Sequence, residues 1–197
     1  MARNGDDNSI PSTEAIADET AYRRYVDGEE RAANLLVEKY SDALTFYING
    51  YIRDMHEAED LMIEAFARIF AKERPLSSEG SFKAYLYKTA RHLALRHARK
   101  HRLLSLRLED LDFEPSDTVM ADTALIQNER NRQLYAALGK INARYREALY
   151  LVYFEGMSYQ QAAEVMGKSE KQITNMVYRG KARLRGLLER EGITNAK

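Results

Sequence analysis

The chain has 197 residues, 30 Lys and Arg against 30 Asp and Glu, 45% hydrophobic side chains, no cysteine and no tryptophan. Zero net charge argues against a simple polycation or polyanion, and the composition is that of a folded chain rather than a disordered one. The absence of cysteine excludes disulfides, thiolate metal sites and thiol nucleophiles together.

The opening stretch MARNGDDNSIPSTEAIADET puts acids and polar groups where an export signal needs an apolar core. The longest uninterrupted apolar run, Ala148 to Phe154, is far shorter than the roughly 20 residues a spanning helix needs. The expectation is a cytoplasmic protein with no membrane insertion, whose residues 1–18 form a disordered tail.

Charge is distributed in blocks. Residues 1–80 carry 9 basic and 17 acidic side chains, 81–107 carry 8 basic and none acidic, 108–130 carry 1 and 7, and 131–197 carry 12 and 6. Two basic zones are thus separated by an acidic stretch, LEDLDFEPSDTVMADT, which contains Pro115 and lacks a clear helical period. It reads either as a linker between two domains or as a solvated loop.

In chain order, Leu36, Tyr40, Leu44, Tyr47, Ile48 and Tyr51 recur at three- and four-residue steps, the mark of an amphipathic helix. Ala58, Leu61, Met62, Ala65, Phe66, Ile69 and Phe70 form a second such stripe, with Asp54 placed to cap its start and Pro75, Ser77, Ser78 and Gly80 to end it. A third helix begins near Ser81, with Phe82, Leu86, Ala90, Leu93 and His97 on one face. Leu134, Leu138, Ile141, Tyr145, Leu149, Val152 and Tyr153 repeat the pattern. Strand alternation is not evident, so the fold class is all-α, as two small helical domains.

Ser158 with Gln161, and Ser169 with Gln172, are both spaced as capping boxes, in which hydroxyl and amide satisfy the free N–H groups of a helix start. Between them lie Ala162, Ala163, Val165 and Met166, then Gly167 and Lys168. Two turns of helix, a tight glycine turn and a second capped helix make a helix-turn-helix. The N-terminal part of such a second helix enters the major groove. Here it offers Glu170, Lys171, Gln172, Thr174 and Asn175 for base edges, and Arg179, Lys181, Arg183 and Arg185 for phosphates, with Ile173 and Val177 turned to the core.

The second chemically telling segment is residues 82–107. Lys83, Lys88, Arg91, Arg96, Arg99, Lys100, Arg102 and Arg107 share it with Tyr85 and Tyr87 and with no acid. Cations follow a phosphate backbone, and aromatic rings stack on bases that have left the duplex. Without a polyanion these cations repel one another. His56, Asp60 and Glu64, at four-residue steps, read as a polar helix face rather than a metal site, and neither a nucleophilic triad nor a phosphate-cradling glycine loop is present. The expectation is therefore no catalytic residue, no metal and no cofactor.

The segments HEAEDLMIEAFARIF (56–70), SFKAYLYKTARHLALRHARK (81–100) and REALYLVYFEGMSYQQAAEVMGKSEKQITNMVYRGKARLRGLLER (146–190) resemble, in this order, the two-domain sigma factors of bacterial RNA polymerase, most closely the compact extracytoplasmic-function (ECF) type of the sigma-70 family. The resemblance implies a core-binding and promoter-melting domain over 19–103, an acidic linker over 104–130 and a helix-turn-helix domain over 131–192. It implies core-polymerase contacts through Asp60, Leu61, Glu64, Phe66 and Ile69. It implies minus-ten contacts through Ser77, Ser78, Lys83, Tyr85, Tyr87, Lys88, Arg91, His92 and Arg99, with the loop at 77–80 receiving a flipped base. The upstream element would be read by Ser169, Lys171, Gln172, Thr174, Asn175, Tyr178, Arg179 and Arg183.

This sequence departs from the family pattern in places. Tyr85 stands where Trp is usual, His92 and Arg96 where Asn and Asp are favoured, and Met176 where a basic residue is frequent. A stretch from Lys140 to Arg144 replaces a proline-containing turn. The implied partners are core RNA polymerase, promoter DNA and an anti-sigma factor, the free protein being a monomer. Two other readings fit the helical pattern: a sigma-like adaptor that sequesters an anti-sigma factor, and a conventional helix-turn-helix regulator.

Overall fold

The computed structural model describes residues 17–72, 81–105, 134 and 136–190, without the side chains of 102–105. Every regular element among them is helical. Helix α1 spans Asp18–Val26, with Asp18 and Glu19 in its first turn and Arg23 and Arg24 in its last, each sign placed to oppose the helix dipole. No helix is expected here from the sequence. Its anchor is tertiary: the hydroxyls of Tyr22 and Tyr25 donate to the Ile69 and Phe70 carbonyls, each at 3.3 Å, satisfying the exposed end of another helix.

Helix α2 (Glu30–Ile52) follows a turn at Gly28, whose φ of +100° suits glycine. It ends at Arg53, in the left-handed region at φ +59°. Helix α3 (Met55–Phe70) starts as the spacing predicts, the Asp54 side chain accepting from the Glu57 N–H at 3.1 Å. Helix α4 (Phe82–Ser105) lies against α1, α2 and α3. Their shared core holds Tyr22, Leu36, Leu44, Ile48, Ile69, Phe82 and Leu86, all fully buried. Ser77 and Ser78 lie outside the described residues, as does the acidic stretch.

The periodic pattern read from Leu134 to Tyr153 is not one helix. Helical backbone at 136–139 stops at Lys140 and Ile141. Asn142 then caps a new helix, α5 (Ala143–Leu149), by accepting from the Arg144 N–H, and Arg146 donates back to the Gly139 carbonyl at 2.8 Å. After Leu149 the chain widens into a π-helical turn, Tyr150–Phe154, closed by Glu155 N–H to the Tyr150 carbonyl. One extra residue per turn shifts the buried stripe, so Tyr150 and Leu151 are buried whereas Tyr153 and Phe154 are exposed.

Helices α6 (Tyr159–Met166) and α7 (Glu170–Arg190) follow. Both expected capping boxes form: Ser158 with Gln161 at 2.9 and 3.1 Å, and Ser169 with Gln172 at 2.9 and 3.3 Å. Gly167, at φ +62°, makes the left-handed turn between them. Residues before and after the acidic stretch share one apolar cluster, because α6 packs on α4 and Tyr150 reaches α2, its hydroxyl donating to the Ala43 carbonyl at 3.3 Å.

Candidate nucleic-acid interface

On α7, Ile173 and Val177 are buried, and this fixes the rotation of the helix. The opposite face then presents Ser169, Lys171, Gln172, Thr174, Asn175, Tyr178, Arg179 and Arg183, all exposed, with Tyr178 at 75%. Thr174 donates back to the Glu170 carbonyl and the Gln172 amide oxygen accepts from the Ser169 N–H, leaving the Lys171 ammonium and the Asn175 amide exposed beside them. Met176 is half-buried against the core, so an apolar side chain there packs. Lys181 is drawn over the Tyr153 ring, 4.3 Å from its centroid, a cation–π contact.

The residues expected on the minus-ten face of α4 divide between two faces. Tyr85, Lys88 and His92, at steps of three and four, line a cleft of about 510 Å³ with Arg68, Lys72 and Thr89. Lys72 donates to the Tyr85 hydroxyl at 2.7 Å and lies over the same ring. Arg68 and Lys72 were not among the expected residues. Both come from the end of α3, and only the fold brings them to α4. Arg99 is exposed further along α4.

Lys83, Tyr87 and Arg91, at four-residue steps, face the C-terminal helices instead. Lys83 pairs with Glu155 at 3.0 Å and also donates to that residue's carbonyl. Arg91 pairs with Glu147 at 2.7 Å, and Lys88, at the border of the two faces, with Glu164 at 3.3 Å. The expectation of eight unneutralised cations is therefore corrected: three are matched by glutamates more than 50 positions away in sequence. Tyr87 is fully buried, its ring 5.1 Å from that of Tyr47, so it is not an exposed stacking platform in this arrangement.

Ionisation follows from these surroundings. Burial, reinforced by the nearby Glu155 carboxylate, pushes the Tyr87 phenol far above its ordinary value. Burial works against the charge of Arg91, but Glu147 outweighs it and holds the guanidinium firmly cationic. Tyr47 and Tyr51 are raised too, both by burial first, Tyr47 then by Tyr51 and Glu147, and Tyr51 then by Glu147.

The expected core-polymerase set also divides. Leu61, Phe66 and Ile69 are buried among the helices, whereas Asp60 is exposed and Glu64 half-buried, tied to Arg68 at 2.6 Å. A stripe with helical period is the face that packs inward, so those three apolar residues hold the fold. The outward face of α3 offers Met55, Glu59, Asp60 and Ile63, the last 60% exposed.

Comparison with known proteins agrees with the two-part organisation. Residues 36–103 match the family model for sigma-70 region 2, and residues 131–184 match that for sigma-70 region 4. The chain is 27% identical over 165 residues to the ECF RNA polymerase sigma factor SigX of Bacillus subtilis, covering 81% of this chain and 85% of that protein. It is 26% identical over 173 residues to the RNA polymerase sigma-H factor of Pseudomonas aeruginosa, covering 83% and 90%. Among solved structures, it superposes with a TM-score of 0.65 and 25% identity on the sigma factor RpoE of Bartonella quintana in complex with the anti-sigma factor NepR, over 79% of this chain and 96% of that one. CnrH in complex with the cytosolic domain of CnrY shares the fold, with a TM-score of 0.62 and 22% identity over 88% and 98% of the two chains.

Proposed function

Because the chain belongs to the sigma-70 family, as an RNA polymerase sigma factor of the ECF type, we propose that its helices form two promoter-reading surfaces held here in a closed arrangement. It is a sigma factor that binds core RNA polymerase and directs promoter recognition. Its own part in the reaction is binding, the polymerase supplying the chemistry, and it works in the cytoplasm.

The observation that carries the site assignment is the pair of surfaces itself. The capped start of α7 aims Lys171, Gln172, Thr174 and Asn175 outward with no apolar side chain among them, a layout suited to base edges of the upstream duplex. The α3–α4 cleft combines Tyr85 and His92 with Arg68, Lys72 and Lys88, a layout suited to an unstacked base and its phosphates. Lys83, Tyr87 and Arg91 join that second surface only once α5, the π turn and α6 leave α4. Opening therefore belongs to the mechanism: the polymerase takes up the two halves separately, and the acidic stretch spans them. The exposed face of α3, with Asp60 and Ile63, docks on the polymerase. An anti-sigma factor, the partner in the RpoE complex, would control access to these surfaces, and the free protein is a monomer.

The test is run-off transcription with purified core polymerase on genomic fragments. The expected result is initiation at specific starts that depends on this protein. Core binding without any specific start would support the adaptor reading, and a stable DNA-binding dimer that ignores core polymerase would support the conventional regulator.

A further inference from the structure

Glu57, in the first turn of α3, lies beside two histidines one helical turn apart on α4, His97 and His101. The Glu57 carboxylate is 2.8 Å from His97 Nε2 and 3.6 Å from His101 Nε2. A donor atom from each of the three falls within 4.8 Å of the others. The imidazole rings are stacked, 4.3 Å between centroids and 11° from parallel, so both present the same edge to the carboxylate. His97 Nε2 is sealed from solvent and has no hydrogen-bond partner, although Glu57 Oε2 is so near.

We propose that Glu57, His97 and His101 form a binding site for a divalent transition-metal ion of the zinc class. Two histidines at i and i+4 on one helix are a recurrent half of a zinc site, and a carboxylate supplies a third ligand. Donor atoms about a tetrahedral ion at zinc–ligand distances lie roughly 3.3 Å apart, and the two contacts to Glu57 bracket that separation. Ordinary ion pairing accounts for the cluster less well. Two stacked imidazolium rings would repel each other, and the sealed Nε2 makes no hydrogen bond to the carboxylate. A metal ion instead uses neutral imidazoles and occupies the lone pair of that nitrogen. The mixture of nitrogen and oxygen ligands selects zinc, cobalt or nickel over magnesium and calcium.

The ion would take three ligands from the protein and water in the remaining position. It would clasp the start of α3 to the C-terminal third of α4, next to Arg96, Arg99 and Lys100. The nearby cations weaken the site relative to an acidic one and place it where metal occupancy changes the rigidity of the basic helix.

Untagged protein would be dialysed against zinc and, separately, magnesium, with bound metal determined by elemental analysis. The cobalt-loaded form would be examined for visible absorption. One zinc per chain and no magnesium are expected, with a rise in Tm of about 5–10 °C at a free zinc concentration a hundred times Kd. His101→Ala and His97→Ala should each lower zinc affinity at least tenfold, since losing a ligand costs no less than losing an outer-shell partner. His56→Ala should leave binding unchanged. His101 is half-exposed, so its replacement tests the site even where His97→Ala disturbs folding, which circular dichroism reports. Failure of the parent protein to bind zinc stoichiometrically, or binding that persists in folded His101→Ala at parental affinity, overturns the proposal.

Discussion

Arg91 Nε donates to Glu147 Oε1 at 2.7 Å, and Tyr47 donates to the same carboxylate oxygen at 3.0 Å, so α2, α4 and α5 converge on one acid. The two side chains of the ion pair are 22% and 10% exposed. The contact lies between the weak exposed pairs and the costly buried ones.

Glu147→Ala should therefore destabilise the closed arrangement by roughly 2–4 kcal/mol, leaving Arg91 half-buried without its partner. It should also raise the affinity of the free protein for single-stranded minus-ten DNA, because Arg91 then faces the nucleic acid. Small-angle scattering should show a larger radius of gyration, and fluorescence anisotropy with a labelled oligonucleotide should show tighter binding. A double-mutant cycle with Arg91→Ala would isolate the pair energy. Unchanged shape and unchanged DNA affinity would exclude Glu147 as the closing contact.

Much of this was legible in the sequence, and the part that was not has a common cause. The capping pairs Ser158–Gln161 and Ser169–Gln172 involve neighbours in sequence and a fixed helical geometry, so spacing alone reveals them. The stripe containing Leu61, Phe66 and Ile69 was equally visible, but period tells that a face is apolar and not whether it meets the protein's own core or a partner. The structure assigns it to the core. Lys83, Lys88 and Arg91 look unpaired in the sequence because their acids lie 56 to 76 positions away. Glu57 is separated in the same way from His97 and His101, although the four-residue step between the histidines is itself a signal.

The exposed face of α3 separates docking from folding. Ile63→Asp should leave the helical spectrum unchanged and the unfolding free energy within about 0.5 kcal/mol of the parent, as exposed substitutions usually do, while weakening binding to core polymerase by at least tenfold. Leu61→Asp should instead unfold the first half, since it forces an unpaired carboxylate into the core. Pull-down with core polymerase beside circular dichroism checks both. Full core affinity in Ile63→Asp would move the docking surface elsewhere.

Alkaline titration reads the same interface through its phenols. Tyr40, Tyr47, Tyr51 and Tyr87 all have folded pKa values raised above the ordinary 10.0, with burial the leading cause. For a group raised on folding, the stabilisation is fully present below the unfolded value and is lost as pH rises past it. Absorbance at about 295 nm should therefore rise in two phases. The first phase belongs to phenols in contact with solvent, and the buried set ionises only with cooperative loss of structure above roughly pH 10. A single phase centred near 10 with helicity retained would show that these rings are accessible.

Two glycines of α7 differ in their surroundings, and that difference predicts opposite effects. A Cβ on Gly180 would meet Leu149 Cδ1 at 3.0 Å and Cγ at 3.1 Å, with Tyr145 Cβ at 3.4 Å, so α5 crosses α7 at this point with no room to spare. Leu149 is itself buried, and shifting it disturbs Tyr150 and the π turn that follows. At Gly186 an added Cβ meets nothing within 4 Å. Replacing glycine by alanine inside a helix gains about 1 kcal/mol from backbone entropy and propensity, whereas forcing a methyl into a packed crossing costs about 1–3 kcal/mol. Gly186→Ala should raise stability by about 0.5–1 kcal/mol. Gly180→Ala should fall below it by at least about 1 kcal/mol and loosen the helix-turn-helix against α5, so that upstream DNA affinity drops although no DNA-facing side chain has changed. Equal Tm values for the two variants would mean that the α5–α7 crossing is looser than these distances.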